Sequence, residues 1–282
     1  MKIHSRLVAA AGIALVAAYA APVLAAGKQE EAKKVAFSFE GPFGTFDRAQ
    51  LQRGFQVYEE VCKACHGLKY LSYRNLGEAG GPEFSEAQVN AISAAAEVPA
   101  DPNEEGATHG DDGSRLVRQG KPSDSFVPPF ANDIIARSAN NGALPPDLSL
   151  ITKARSGYHG TFKQFLEGIG GPEYVYSILT GYQEPPAKEA EKATEGLNYN
   201  PYFAGHWIAM AQPMEDDAVE YADGTPATLD QMAKDVSAFL MWAAEPKMEE
   251  RKRLGFQVLI YLLVLSGLLY FVKKKVWAGV AH

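Results

Sequence analysis

The sequence predicts a mostly α-helical domain enlarged by long loops, exported across a membrane and tied to it by one C-terminal helix. Three observations carry this: an apolar run behind two basic residues at the N-terminus, a second between basic clusters at the C-terminus, and two amphipathic helical patterns framing a Gly- and Pro-rich middle. No fixed-period repeat or low-complexity tract divides the 282 residues, so one unit between two terminal segments is expected.

Lys2 and Arg6 precede an uncharged stretch over 7–24, and Ala25, Ala26 and Gly27 follow before the chain turns polar at Lys28. This is the layout of a secretory signal peptide, with Val23 and Ala25 in place for cleavage after Ala25 or Ala26. An uncleaved membrane helix is the alternative, opposed by the alanine-rich make-up and Pro22. Either way the following residues are exported. The expected division is a signal over 1–26, a domain over 27–250, an anchor over 251–275 and a tail over 276–282.

Asp47 is placed to cap a helix on which Leu51, Phe55, Tyr58 and Cys62 share one face. That helix runs into Cys62-Lys63-Ala64-Cys65-His66, which holds both cysteines of the chain. Cys-x-x-Cys-His is the attachment pattern of a c-type haem. Two intervening residues let both sulfurs reach the vinyl groups on one porphyrin edge, and the next residue swings an imidazole under the iron. A thioredoxin-like dithiol needs a strand–helix context, whereas this pair ends a helix. A structural zinc site needs four ligands, and there is no second thiol pair. A Cys62–Cys65 disulfide would close a tiny loop and leave His66 unexplained.

From 80 to 146 the chain is rich in Gly, Pro, Asn and Asp, which predicts mainly loops with a short alanine-rich helix after Ser85. With His66 below the iron, the sixth ligand decides between an electron carrier and a small-molecule binder. Met232 and Met241 fall on a terminal amphipathic helix as core filling, and Met248 abuts the anchor. Met210 and Met214 lie in a proline-bearing loop; Met210 is the stronger candidate, because Met214 precedes Glu215, Asp216 and Asp217 and is expected to face water. His109, His159 and His206 are the bis-histidine alternatives.

Thr228 and Gln231 form a capping box ahead of Leu229, Met232, Val236, Phe239, Leu240 and Ala243, and Pro246 stops that helix. Residues 254–272 carry no charge, span about 28 Å as a helix, and are flanked by Arg251, Lys252 and Arg253 and by Lys273, Lys274 and Lys275. Export of the N-terminal side leaves the C-terminus in the cytoplasm. Against 34 acidic residues stand 27 basic ones, a net charge of -7, which excludes a phosphate-binding surface and with it nucleic acid. Two cysteines are too few for a disulfide scaffold or a thiolate-ligated iron–sulfur cluster.

Several segments resemble the cytochrome c1 family, the haem subunit of the quinol:cytochrome c oxidoreductase (cytochrome bc1) complex: 37–46 (FSFEGPFGTF), 62–67, 139–149 (ANNGALPPDLS), 170–182 (GGPEYVYSILTGY), 199–203, 221–225 and 235–253. The resemblance implies a class I cytochrome c-like haem domain enlarged by long loops, with a C-terminal transmembrane helix and one covalently bound haem c. It makes Cys62 and Cys65 the thioether anchors, His66 the proximal ligand and Met210 the distal one. Arg155 and Tyr174 match positions that contact haem propionates, and Pro145 and Pro146 match the haem-packing loop.

Many bacterial relatives close a disulfide near the methionine loop, and no cysteine follows Cys65 here. Pro201, Pro213, Tyr199, Tyr202, Phe203 and Trp207 are expected to hold that loop instead. The family likeness further implies a bacterial inner-membrane protein with a periplasmic haem domain, not an enzyme as an isolated chain. Its partners would be cytochrome b, a Rieske iron–sulfur protein that delivers one electron, a soluble or tethered cytochrome c that takes it, and membrane lipid. Two acidic stretches, Asp101 to Asp112 and Glu215 to Asp223, are candidates for docking a basic carrier. A tethered monohaem cytochrome of another chain, or a sensor with an open iron site, are the alternatives.

Overall fold

The computed structural model describes residues 29–279, so the expected signal segment lies outside the described residues. The fold is mostly helical. Helix α1, Arg48–Val57, starts at Asp47, whose carboxylate accepts the Gln50 amide at 3.2 Å. It widens into a π-helical turn, Tyr58–Cys62, closed by the Lys63 amide on the Tyr58 carbonyl at 2.8 Å. The short helix after Ser85 is α2, Glu86–Ala94, with a reciprocal Ser85–Gln88 capping box.

The middle of the chain is loop-rich, with two features that composition did not signal. Strands β1 (Glu97–Pro99) and β2 (Val117–Gln119) pair antiparallel, with Val98 opposite Arg118. Helix α3, Asp133–Ala139, forms because Asn132 caps it, accepting the Ile135 amide at 3.0 Å. Four short helices follow: α4 (Ile151–Ala154), α5 (Thr161–Glu167), α6 (Gly171–Leu179) and α7 (Ala187–Ala190). Strands β3 (Asn198–Tyr199) and β4 (Trp207–Ile208) pair with Tyr199 opposite Trp207.

Helix α8, Leu229–Ala244, is the spine of the core, burying Met232, Val236, Phe239, Leu240 and Trp242. Only half of its expected capping box forms. Thr228 accepts the Gln231 amide, but the Gln231 side chain donates to Asp235 at 2.8 Å instead of turning back. The reason is the Asp235 carboxylate, which is fully buried and needs donors: Arg53 Nε at 2.8 Å and Gln50 Nε2 at 3.0 Å complete the set. Arg53 reaches Asp235 because α1 crosses α8 closely. A Cβ at Gly54 would sit 2.1 Å from the Asp235 carbonyl oxygen, so only glycine allows the crossing.

Aromatic rings fill the space between these helices. Phe55 meets Phe84, Phe126 and Phe239 edge to face, and Tyr73 stacks on Phe126 at 4.4 Å. Helix α8 ends at Ala244, ahead of Pro246, and α9 runs from Met248 to Trp277. The uncharged stretch 254–272 lies within α9, which is the one helix among the described residues long and apolar enough to cross a membrane.

Candidate functional site

The π-helical turn places the Cys-x-x-Cys-His segment at the end of α1. Cys62 packs half-buried against the core while Cys65 is exposed, and both thiols are free. Burial pushes the Cys62 thiol up to about 12, so it is held as a thiol. Backbone amides of Cys65 and His66 both bond the Cys62 carbonyl, at 3.1 and 2.9 Å, which folds the motif into a tight turn.

His66 is oriented from two sides. Its carbonyl accepts the Tyr58 hydroxyl at 3.0 Å, and its ring Nδ1 donates to the Pro146 carbonyl at 2.7 Å. A carbonyl can only accept, so the proton sits on Nδ1 and the lone pair on Nε2 is free to ligate. Burial also holds the imidazole below its ordinary pKa, keeping it neutral. The Pro146 carbonyl is fixed because the next residue is: Asp147 accepts the Lys69 and Ser149 amides at 2.9 and 3.0 Å, and the Leu148 amide bonds the Gly67 carbonyl at 2.8 Å. Pro145, beside it, is half-buried.

The same segment continues through α4 to Arg155, whose guanidinium charge opposes the rise that burial gives the Tyr174 phenol. Tyr174 is buried on α6. Tyr182 donates to the Met210 carbonyl at 3.0 Å, and Asn198 Nδ2 reaches the same oxygen at 3.3 Å. Tyr182, expected only as part of a segment that resembles the family, thus braces the backbone at Met210. The signal for it was local: an aromatic directly after the Thr180-Gly181 end of a helix, where a side chain can fold back over the next loop.

Met214 corrects the expectation that it faces water. It is 4% exposed and belongs to the core, while Met210 is half-buried. The acidic residues behind Met214 turn outward, and Asp216 turns back to accept the Leu229 amide at 2.6 Å, which tucks the chain inward at Met214. Burial alone therefore does not choose between the two thioethers; Met210 is the one whose carbonyl Tyr182 and Asn198 hold.

The methionine loop is held by more than its own prolines and rings. Pro201 is buried, Tyr199 meets Trp207 edge to face at 5.6 Å, and the Tyr202 ring seals Gly181, where any Cβ would approach it to 2.5 Å. A strap of residues 30–33 crosses outside it. The Glu30 amide bonds the Pro201 carbonyl, the Ala32 amide bonds Gly157, and the Lys33 amide bonds the Ser177 hydroxyl at 2.8 Å. Lys33 Nζ then donates to the carbonyl and hydroxyl of Thr180 at 2.9 and 2.8 Å and lies 5.5 Å from the centre of the Tyr202 ring. A cation there also complements the C-terminal end of α6.

The histidine alternatives lie elsewhere. His109 and His159 are exposed, with His159 Nε2 against the Gln29 carbonyl, and His206 packs edge to face on Tyr199. Of the acidic residues, Asp112, Asp216 and Asp223 are engaged: Asp112 accepts the Ser114 amide and hydroxyl at 2.9 and 2.6 Å, and Asp223 pairs with Arg53 at 2.9 Å. Asp101, Glu104, Glu105, Asp111, Glu215 and Glu220 are exposed. The donor set fits a c-type haem: two free thiols at the correct spacing, an imidazole with its far nitrogen available, and a thioether on a braced loop.

Residues 37–280 match the Cytochrome C1 family. Cytochrome c1 of Cereibacter sphaeroides is 46% identical over 298 residues, covering 98% of this chain and 96% of that protein. The mitochondrial cytochrome c1 haem protein of Saccharomyces cerevisiae is 48% identical over 246 residues, covering 87% and 72%. Cytochrome b/c1 of Bradyrhizobium diazoefficiens is 52% identical over 249 residues, of which this chain spans 86% of its own length and 35% of that longer protein.

Proposed function

Because the chain belongs to the cytochrome c1 family, we propose that it is the haem-bearing electron-transfer subunit of a cytochrome bc1 complex, taking one electron from a Rieske iron–sulfur protein and passing it to a cytochrome c. The single observation that carries this is the locked His66 tautomer beside two free thiols. The family's haem c supplies one-electron exchange at iron; no bond in a substrate is made or broken.

The chain's own residues set the conditions for that exchange. Cys62 and Cys65 would fix the ring as thioethers, His66 would offer Nε2, and Met210 would present sulfur from a loop braced by Tyr182 and Asn198. Arg155 and Tyr174 would contact the propionate edge, and Pro145, which precedes the carbonyl that orients His66, would pack on the ring. With His66 and Met210 both as ligands the iron would have no open site, which would favour electron transfer, the role of a carrier, over the ligand binding of a sensor.

The expected division of the chain places a cleaved signal over 1–26, the haem domain over 27–250 in the periplasm, the anchor over 251–275 and a cytoplasmic tail over 276–282. Cytochrome b and membrane lipid would surround α9. The acidic stretch from Asp101 to Asp112 is the freer docking surface for a basic carrier, since Asp112 is bonded only within its own turn, whereas Asp216 and Asp223 in the other stretch are tied to Leu229 and Arg53.

Redox-titrated optical spectra test the ligand assignment. Met210→His should lower the midpoint potential strongly and Met214→Leu should leave it unchanged. Co-purification with cytochrome b and a Rieske protein, and carrier reduction that slows with salt, test the partners. Failure of the haem to survive acid–acetone extraction would remove the covalent attachment on which the reading rests.

A further inference from the structure

Residues 41–45, Gly-Pro-Phe-Gly-Thr, form a turn between two buried aromatics, Phe39 at 6% and Phe46 at 4% exposure, yet Phe43 at its tip is 72% exposed. The turn is tightly built. Gly41 takes a left-handed φ of 71°, and a Cβ at Gly44 would fall 2.0 Å from the Glu40 carbonyl oxygen, so the backbone doubles back without room for a side chain.

This turn is bolted to the first turns of α9. Lys252 Nζ donates to the Phe39 and Gly44 carbonyls at 2.6 and 3.1 Å. Glu249 accepts the Phe46 amide at 2.7 Å and is gripped by Arg48 through two bonds of 2.7 and 2.8 Å. Four residues beyond Lys252, on the same side of the helix, stands Phe256. Its ring meets that of Phe43 edge to face at 5.5 Å, and it too is exposed, at 49%.

Phe256 lies inside the uncharged stretch that begins at 254, about 3 Å along the helix axis from its start. An aromatic touching it from outside the helix therefore sits at the depth where hydrocarbon meets headgroups. Arg253 is exposed at the level just above, while Lys252 is held by the turn carbonyls and Arg251 by Glu245, so basic and aromatic side chains follow the order of a membrane interface.

From this, and on the reading of α9 as the membrane anchor, we propose that the 41–45 turn is a second membrane contact, with Phe43 inserted at the boundary between lipid headgroups and acyl chains. The occupant of the exposed Phe43–Phe256 face is lipid. The domain then rests on the bilayer by this edge, and its orientation is set by two attachments on one rigid unit.

The test is a depth measurement on the haem-loaded full chain in lipid nanodiscs containing anionic lipid. With both native cysteines consumed as thioethers, Phe43→Cys, Phe162→Cys and Leu263→Cys each offer one thiol for a nitroxide. All three positions are exposed in the fold, at 72%, 77% and 74%. Collision with membrane-soluble oxygen should exceed collision with a water-soluble nickel chelate several-fold at 43 and 263, with the reverse at 162. Chelate access at 43 equal to that at 162, with 263 still in lipid, overturns the second contact and leaves the anchor standing. Shielding of 43 from both reagents overturns it too, since protein would then cover the face. Chelate access at 263 overturns the anchor reading and the proposal with it.

Discussion

The Nδ1 of His66 and the carbonyl of Pro146 are 2.7 Å apart although eighty positions separate them in the chain. The bond decides the tautomer, and with it which nitrogen can meet a metal. Its strength is set by Asp147, whose two oxygens clamp the loop through the Lys69 and Ser149 amides. Asp147→Ala removes both clamps and is expected to cost about 2–4 kcal/mol in stability, as charged hydrogen bonds do. It should also broaden the haem spectrum as the ring reorients, while Asp147→Asn, which keeps one acceptor, should lose less. Thermal unfolding followed at the haem absorption checks both.

Met210 and Met214 make opposite demands. Met214→Ala should destabilise the fold by about 2–5 kcal/mol because it empties a buried site, whereas Met214→Leu should cost less than about 1.5 kcal/mol. Neither should shift the midpoint potential appreciably, and a large shift in Met214→Leu would reverse the ligand assignment.

Lys33 braces the methionine loop from outside. Removing its bonds to Thr180 in Lys33→Ala should release about 1–3 kcal/mol of restraint, discounted for its partial exposure. If the loop holds sulfur on iron, the sulfur-to-iron charge-transfer band of the oxidised protein should vanish at a lower pH than in the wild type, and Lys33→Arg should recover part of the difference. An unchanged transition in Lys33→Ala would separate the strap from the ligand.

Gly54→Ala tests the crossing of α1 and α8. The added carbon meets backbone on the far helix, which cannot swing aside as a side chain could. Overpacking of this kind is expected to cost about 3 kcal/mol or more. A melting temperature within a degree of wild type would show that the crossing yields.

Glu173 supplies a pH dependence. It is 6% exposed on α6, and burial raises its carboxyl above the ordinary 4.5, with the Tyr158 hydroxyl at 3.2 Å opposing the rise. The folded state therefore holds the proton more tightly than the unfolded one. The resulting stability is fully present below pH 4.5 and is lost as pH rises through the folded value. Glu173→Gln keeps an acceptor for Tyr158 and should be more stable than the wild type at neutral pH, with a flatter denaturation profile above pH 4.5. Equal slopes in the two proteins would place the titrating group elsewhere.

Local rules were enough to read much of this molecule. Asp47 and Ser85 begin their helices as their side chains dictate, the Cys-x-x-Cys-His spacing names its cofactor, and the uncharged run 254–272 is helical throughout. The readings that needed more all involve residues far apart in sequence. Gln231 abandons its cap for Asp235, a carboxylate whose burial depends on α1 packing across α8. Met214 is buried because Asp216 reaches forward to Leu229. Lys33 and Tyr182 gain their positions only once the strap and α6 are assembled. Composition has no means of registering such pairings, since each partner is unremarkable alone.

The joint between α9 and the rest of the molecule, with Arg48, Glu249 and Lys252 locked across it, makes the stalk and the head a single casting. On the function proposed above, a haem mounted in this way would have no swivel. The travel that brings a donor near and then lets an acceptor approach would fall to the visiting proteins.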